Sequence, residues 1–279
     1  MIEGGPRGAA GAASGFLPSS FLDPFDASGS SFWALLRRMT PEAFPPTVAS
    51  GTVVEHVEGT TIVALTYETG VIVAGDRRAT AGNVISKRDM RKVFEADSWS
   101  AVGVSGAAGP AMELARIFAT ELEHYEKVEG GPLSLEGKAN KLGQMVRANL
   151  PMAMQGLVVV PLFAGYDPRE QVARIYEFDA AGGRYEERRF ATSGSGGRDA
   201  RGSLKARYRR GLDRDGAIDV GLEALWDAAD EDAATGGPDL IRGIYPLVAV
   251  IDADGYREMA DEFVAERVSD VIADRRASS

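Results

Sequence analysis

The chain has 279 residues, 44% of them apolar and 26% charged, the balance of a soluble globular protein with room for one large domain or two small ones. A formal net charge of -10 speaks against broad nucleic-acid binding, and no stretch is long and apolar enough to cross a bilayer. The lack of cysteine excludes a disulfide scaffold, a thiol nucleophile and thiolate metal sites, and fits an intracellular protein. With His56 and His124 as the only histidines there is no zinc motif, and a Ser-His-Asp triad would need one of these two.

Residues 1 to 59 differ from the rest. The tracts Gly4-Gly5, Gly8 to Gly15 and Ala27 to Ser31 cannot bury enough apolar area to offset chain entropy, so disorder is expected there. Phe32 to Met39 is expected to form one amphipathic turn, ended by Pro45-Pro46. A secretory signal needs basic residues followed by a continuous apolar run, but Arg7 stands alone and only Gly, Ala and Ser lie between it and Phe16. We read this leader as a pro-segment. A mitochondrial-type transit peptide is the alternative, and Asp23 and Asp26 count against it.

The body opens with two β-branched, apolar runs, Thr61 to Tyr67 and Val71 to Gly75, around a turn at Glu68-Thr69-Gly70, the pattern of an antiparallel hairpin. Folding about residue 68 sets Asp76 opposite Thr60, so a hydroxyl meets a carboxylate at the open end. Met90 to Glu95 and Trp99 to Val104 form a second pair about Asp97-Ser98, and Gly103 to Gly109 reads as a flexible turn. Ala111, Ala115, Phe118, Leu122 and Tyr125 recur at helical spacing. Leu135, Leu142, Met145, Val146 and Leu150 make a second helix, stopped near Pro151, and both should cover one face of a sheet. Further strands are expected at Gly156 to Ala164, Arg174 to Phe178, Arg184 to Arg188, Tyr245 to Asp252 and Gly255 to Glu258. Helices fill residues 200 to 210, 216 to 230 and the C-terminus. Strands, two helices, strands, two helices suggests an α+β fold with helices on both outer faces, although periodicity permits other α+β layouts.

Five motifs in order, Gly59-Thr60-Thr61, Gly75-Asp76-Arg77-Arg78-Ala-Thr80, Arg91-Lys92-Val93, Gly194-Ser195-Gly196 and Asp232-Ala-Ala-Thr235-Gly236-Gly237, resemble the β-type subunits of 20S proteasomes, threonine proteases of the N-terminal-nucleophile hydrolase superfamily. The resemblance runs from Gly59 to about Asp274, and Glu121 to Lys127 and Met154 to Leu157 look most like the actinobacterial branch. It implies a four-layer αββα sandwich at residues 60 to 279, and a propeptide, residues 1 to 59, that is removed between Gly59 and Thr60.

The chemistry follows. A threonine hydroxyl is a poor nucleophile without a nearby base. Once Thr60 is the first residue, its own α-amine, titrating at about 7.7 to 8.0, can take the hydroxyl proton and return it. Inside the precursor that nitrogen is an amide, so the leader keeps the enzyme silent. Gly59 lets the backbone bend until the hydroxyl reaches the preceding carbonyl. Lys92 lowers the hydroxyl's pKa and helps relay its proton, while Asp76 orients the lysine; the plain alternative is a strand-end salt bridge. Arg77 and Arg78 are read as structural partners of carboxylates. By resemblance, the Gly106 N–H faces the oxyanion, where a side chain would crowd the substrate, and Thr80 and Ala108 hold the substrate as an added strand.

Ser195, Asp232 and Thr235 map onto the family's supporting shell around the threonine. Most relatives carry serine where Thr235 stands, and Gly197-Arg198-Asp199 departs from a more apolar family pattern, which leaves the packing there open. Asp232 could instead belong to a solvated acidic helix end. The apolar positions Ala79, Met90, Phe94, Val104, Ala108 and Met112 match the first specificity pocket, so cleavage after large hydrophobic residues is expected; simple core filling would look the same. The family's heptameric β-rings stack between rings of α-subunits, fed by an ATPase ring with substrates carrying a ubiquitin-like tag, in the cytoplasm and without cofactor or metal. The alternatives are a ring-forming bacterial peptidase without α-subunits, a small-amide hydrolase, and a catalytically dead ring subunit, which would usually lack the threonine or the lysine. His56 could assist processing or simply lie exposed in the leader.

Overall fold

All of β2 (Gly70–Gly75) and nearly all of β1 (Thr61–Tyr67) are buried, so this hairpin must be covered on both faces. The structure, a computed structural model, describes residues 59–278; the expected pro-segment with its Phe32 to Met39 turn, and His56, lie outside the described residues. With β10 (Phe190–Gly194), β11 (Leu247–Asp252) and β12 (Gly255–Glu258), the hairpin forms a five-stranded antiparallel sheet in the order β10-β1-β2-β11-β12. A second five-stranded sheet runs in the order β5 (Val93–Asp97), β6 (Ser100–Gly106), β7 (Val159–Asp167), β8 (Val172–Phe178) and β9 (Arg184–Glu187). Between β2 and β5 the chain makes a small ribbon, β3 (Ala79–Ala81) with β4 (Val84–Lys87).

Alternation along β1 shows how the layers stack. Ile62 and Ala64 enter an apolar cluster shared with Val93, Ala101, Leu162 and Ile175 of the other sheet. Val63 and Leu65 point the opposite way, onto α4 (Gly197–Arg207) and α5 (Arg214–Glu231), and α6 (Asp261–Ser278) completes this layer against α5 and β11. On the far side of the second sheet, Val102, Phe163 and Tyr176 pack against Phe118 of α1 (Ala108–Glu129) and Leu142 of α2 (Leu135–Ala148). The result is the αββα sandwich, with one core between the sheets and one under each helical layer. Caps set the helix ends: Ser134 accepts from Gly137 N–H at 3.1 Å and Asp213 from Gly216 N–H at 2.8 Å, while Gly130 closes α1 in the left-handed region at φ 75°.

Several expectations are corrected. The first hairpin pairs Ile62 with Gly75 and Tyr67 with Gly70; its turn is the two residues Glu68 and Thr69, so its centre falls between them and Thr61, not Thr60, lies opposite Asp76. Gly103 to Gly109 is no flexible turn, since Gly103 to Gly106 finish β6 and α1 begins at Ala108. Tyr125 is exposed, the buried stripe of α1 ending at Leu122. Leu150 does not belong to α2, which stops near Pro151 as expected, at Ala148; Leu150 and Pro151 open a separate short helix, α3 (Leu150–Ala153), where the missing proline N–H costs nothing. Strands β3, β4 and β10 were not foreseen.

Candidate active site

Thr60 immediately precedes β1, so strand alternation turns its side chain to the same face as Ile62, toward the second sheet. Lys92 arrives there from the residue before β5, and Asp76 from the residue after β2. The Lys92 Nζ stands 2.7 Å from Asp76 Oδ1 and 2.8 Å from the Gly59 carbonyl oxygen, and the Thr60 hydroxyl donates to the same carbonyl at 2.6 Å. Both charged side chains are 0% exposed. Asp76 is held by further donors: Thr61 N–H at 2.8 Å on Oδ1, and Arg78 N–H and Gly236 N–H, each at 2.9 Å, on Oδ2. Burial pushes the Lys92 ammonium below the ordinary lysine value against the pull of Asp76.

A second network touches Thr60 from the other sheet edge. Its N–H lies 3.4 Å from Ser195 Oγ, and Ser195 donates to Asp232 Oδ2 at 2.5 Å. Thr235 Oγ1 stands 2.6 Å from the same carboxylate oxygen, and the Ala234 N–H donates to Asp232 Oδ1 at 3.1 Å. Burial alone would raise the Asp232 carboxyl, but these bonds and the nearby Lys92 charge hold it below the usual carboxylate range. Asp232 is thus the C-cap of α5 turned toward Ser195, not part of a solvated face. Thr235 keeps the hydroxyl bond in place of the family's serine. The segment Gly197-Arg198-Asp199 packs without difficulty as the first turn of α4, with Gly197 and Ala200 buried and Arg198 outward.

Gly59 is buried at φ 148°, and a Cβ there would lie 2.7 Å from Thr80 Oγ1 and 2.8 Å from the Ala234 carbonyl oxygen. Thr80 therefore flanks the Gly59-Thr60 bond from β3. Gly106 also needs glycine for a reason within the fold: at φ 98°, a Cβ would fall 2.1 Å from the Val158 carbonyl oxygen, so the neighbouring backbone crowds this position. Its amide direction follows from the ladder. Ala107 N–H donates to Val158 and Val104 N–H to the Lys92 carbonyl, and alternate residues face alternate neighbours. The Gly106 N–H therefore points to the edge from which Lys92 comes.

Of the pocket positions, Val104 and Phe94 share one cluster with Ala111 beneath the start of α1, Ala108 is half-buried there, and Met112 is exposed one turn on. Met90 is half-buried, its N–H bonded to the Arg77 carbonyl at 2.9 Å, and Ala79 is buried in β3. Arg77 pairs with Asp89 at 2.9 Å and Asp261 at 3.3 Å as expected of a structural partner. Arg78 differs: its guanidinium binds the Ala233 and Thr235 carbonyls at 3.2 and 3.0 Å, clamping the loop behind Asp76. His124 is exposed on α1. Sequence reasoning missed Thr61 and Gly236, both of which donate to Asp76 through their backbone N–H groups, contacts that no side-chain pattern signals. Among the described residues no group of acidic or histidine side chains could hold a metal ion, and no helix is long and apolar enough to cross a membrane.

Two facing antiparallel sheets between helical layers, with a buried threonine, aspartate and lysine grouped where the first strand begins, define a threonine-type hydrolase of the N-terminal-nucleophile class. A family model described as "Proteasome subunit" matches residues 56–241. The chain is 54% identical to the proteasome subunit beta of Acidimicrobium ferrooxidans over 92% of its own length and 95% of the relative's. To that of Acidothermus cellulolyticus it is 53% identical over 95% and 93%, and to that of Frankia casuarinae 52% over 96% and 97%. The chain belongs to the proteasome subunit family, as one of its beta-type threonine endopeptidases.

Proposed function

We propose that the chain is made as a precursor that cuts itself between Gly59 and Thr60, and that the freed Thr60 then hydrolyses peptide bonds of unfolded proteins. The observation that carries this is the placement of the Thr60 hydroxyl and Lys92 Nζ on one carbonyl, that of Gly59, at 2.6 and 2.8 Å. In the cut, Thr60 Oγ1 bonds to the Gly59 carbonyl carbon while Lys92 polarises its oxygen. The C–N bond breaks as the nitrogen takes up the hydroxyl proton and becomes the free α-amine of Thr60, the acyl group passes to Oγ1 as an ester, and water releases the leader as a carboxylate and restores the hydroxyl. Residues 1 to 59 leave, and residues 60 to 279 are the enzyme.

In turnover, the Thr60 α-amine takes the hydroxyl proton as Oγ1 attacks the substrate carbonyl, and Lys92 with Asp76 stabilises the developing charge. The oxyanion faces the Gly106 N–H. Collapse expels the amine product, which carries off the proton held by the α-amine, and water then hydrolyses the ester on Thr60. Thr80 and Ala108 hold the substrate backbone, and Ala79, Met90, Phe94, Val104, Ala108 and Met112 accept a large hydrophobic side chain. Ser195, Asp232 and Thr235 steady the amine. We place the enzyme in the cytoplasm, in heptameric rings stacked between α-subunit rings and fed by an ATPase ring with tagged substrates.

The test is intact mass of assembled particles with and without Thr60→Ala. Wild type is expected to begin at Thr60, and the variant to retain its leader and to lack turnover. Processing that continues unchanged in the variant would contradict self-cleavage.

A further inference from the structure

Alternation turns the Thr61 side chain away from that of Thr60, toward the α5 layer, where it is 0% exposed. There its hydroxyl oxygen lies 2.6 Å from Thr235 Oγ1, which in turn is 2.6 Å from Asp232 Oδ2. A hydroxyl has one proton to give, and an ionised carboxylate can only accept. Thr235 therefore donates to Asp232 and must receive the proton of Thr61. Ser195 has the same choice to make. Its 2.5 Å contact with Asp232 Oδ2 is charge-assisted and far shorter than its 3.3 Å approach to the Thr60 carbonyl, so its proton also goes to Asp232. What Ser195 turns to the Thr60 N–H, 3.4 Å away, is a lone pair.

We propose that Thr61 is a positioning residue for the reaction: its hydroxyl is the first donor of a one-way chain through Thr235 to Asp232. That chain keeps Asp232 oriented toward Ser195 and so keeps Ser195 an acceptor for the Thr60 nitrogen. The inference rests on the proposed role of the Thr60 α-amine as base. An amine whose N–H donates to Ser195 keeps its own lone pair for the Thr60 hydroxyl. Thr61 also anchors the other half of the site, since its N–H donates to Asp76 Oδ1 at 2.8 Å, the oxygen that holds Lys92. One residue thus ties both carboxylates to the start of β1. Space for the hydroxyl pair is made by Gly196, where a Cβ would stand 2.4 Å from Thr61 Oγ1 and 2.6 Å from Thr235 Oγ1.

Thr61→Val keeps the shape and removes only the donor; Thr61→Ser keeps the donor. Both are compared with wild type in assembled particles, by intact mass and by steady-state hydrolysis of a fluorogenic peptide with a large apolar residue before the scissile bond. The expected result is a kcat about tenfold lower in T61V, the worth of one hydrogen bond in a charge-assisted chain, with KM within about twofold and kcat restored by T61S. Gly196→Ala, which crowds the same hydroxyls while leaving Thr61 in place, is expected to lower kcat in the same way. Where T61V retains its leader, the mature chain is released from a fusion whose cleavage exposes Thr60, and the same comparison is made. Wild-type kcat in T61V, a change confined to KM, or failure of T61S to restore kcat would each overturn the proposal. Thr60→Ala, run alongside, separates the two ideas: if it too keeps full turnover, it is the reading of Thr60 that fails.

Discussion

Lys92 is a lysine with no exposed side-chain surface, and Asp76 beside it is equally enclosed. Removing one member of such a pair strands the other, at a cost of about 3–5 kcal/mol. Asp76 keeps three backbone N–H donors, from Thr61, Arg78 and Gly236, so Lys92→Met is expected near the lower end of that range, read from the urea midpoint. Peptide turnover should fall by at least about a hundredfold, the scale of lost proton-transfer assistance. The double change Lys92→Met with Asp76→Asn should regain much of the stability and none of the turnover. Wild-type turnover in Lys92→Met would remove the lysine from the chemistry. These residues were legible because their spacing could be matched as a set. Gly106 was legible only in part: the need for glycine was visible, but one cause of it, the Val158 carbonyl, is a contact across sheet neighbours that no local pattern records.

At the scale of elements, legibility followed locality. The stripes of α1 and α2 repeat every three or four residues, and the β1–β2 hairpin closes over two residues, so each is written within a short window. Strand β10 was missed because Phe190-Ala-Thr-Ser-Gly194 is short and half polar, and its partner β1 lies far back in the chain, at Thr61↔Gly194 through Leu65↔Phe190. The hairpin register was misjudged by one residue because it depends on whether the centre falls on a residue or between two, which composition does not reveal. Helix caps are local in the same way. Asp213 is the cap of α5, accepting from Gly216 N–H at 2.8 Å, and α5 carries Asp232 at its other end. Asp213→Ala is expected to cost about 1 kcal/mol of stability, measured by urea unfolding. Because Asp232 is fixed by its own bonds to Ser195 and Thr235, kcat should stay within about twofold; a large loss of kcat would show the site to depend on the helix start.

Across the whole molecule, the sheet that carries β1 and β2 is tied at both ends of that hairpin. One end is the site. At the other, Tyr67 reaches over Gly70 to donate to Asp252 Oδ2 at 2.8 Å, and Arg257 meets the same oxygen at 2.7 Å, joining β1, β11 and β12. Burial, then the bond to Asp252, raises the Tyr67 phenol well above its ordinary value; burial pushes Tyr256 up to about 12. A raised phenol contributes stability that is complete below the unfolded value of about 10 and is lost as pH climbs toward the folded one, because the unfolded chain releases its proton first. Lys92 acts in the opposite sense, since its lowered folded value means that rising pH favours the folded state. Tyr67→Phe isolates one contribution. At pH 8 the variant should be less stable than wild type by about 1 kcal/mol, the worth of the lost hydrogen bond. From pH 9.5 to 11 it should lose stability less steeply, since Tyr256 and Lys92 titrate in both proteins and cancel. The two stability curves, followed by urea midpoint, are therefore expected to converge as pH rises; curves that stay parallel to pH 11 would mean that the Tyr67–Asp252 tie carries none of the alkaline limb.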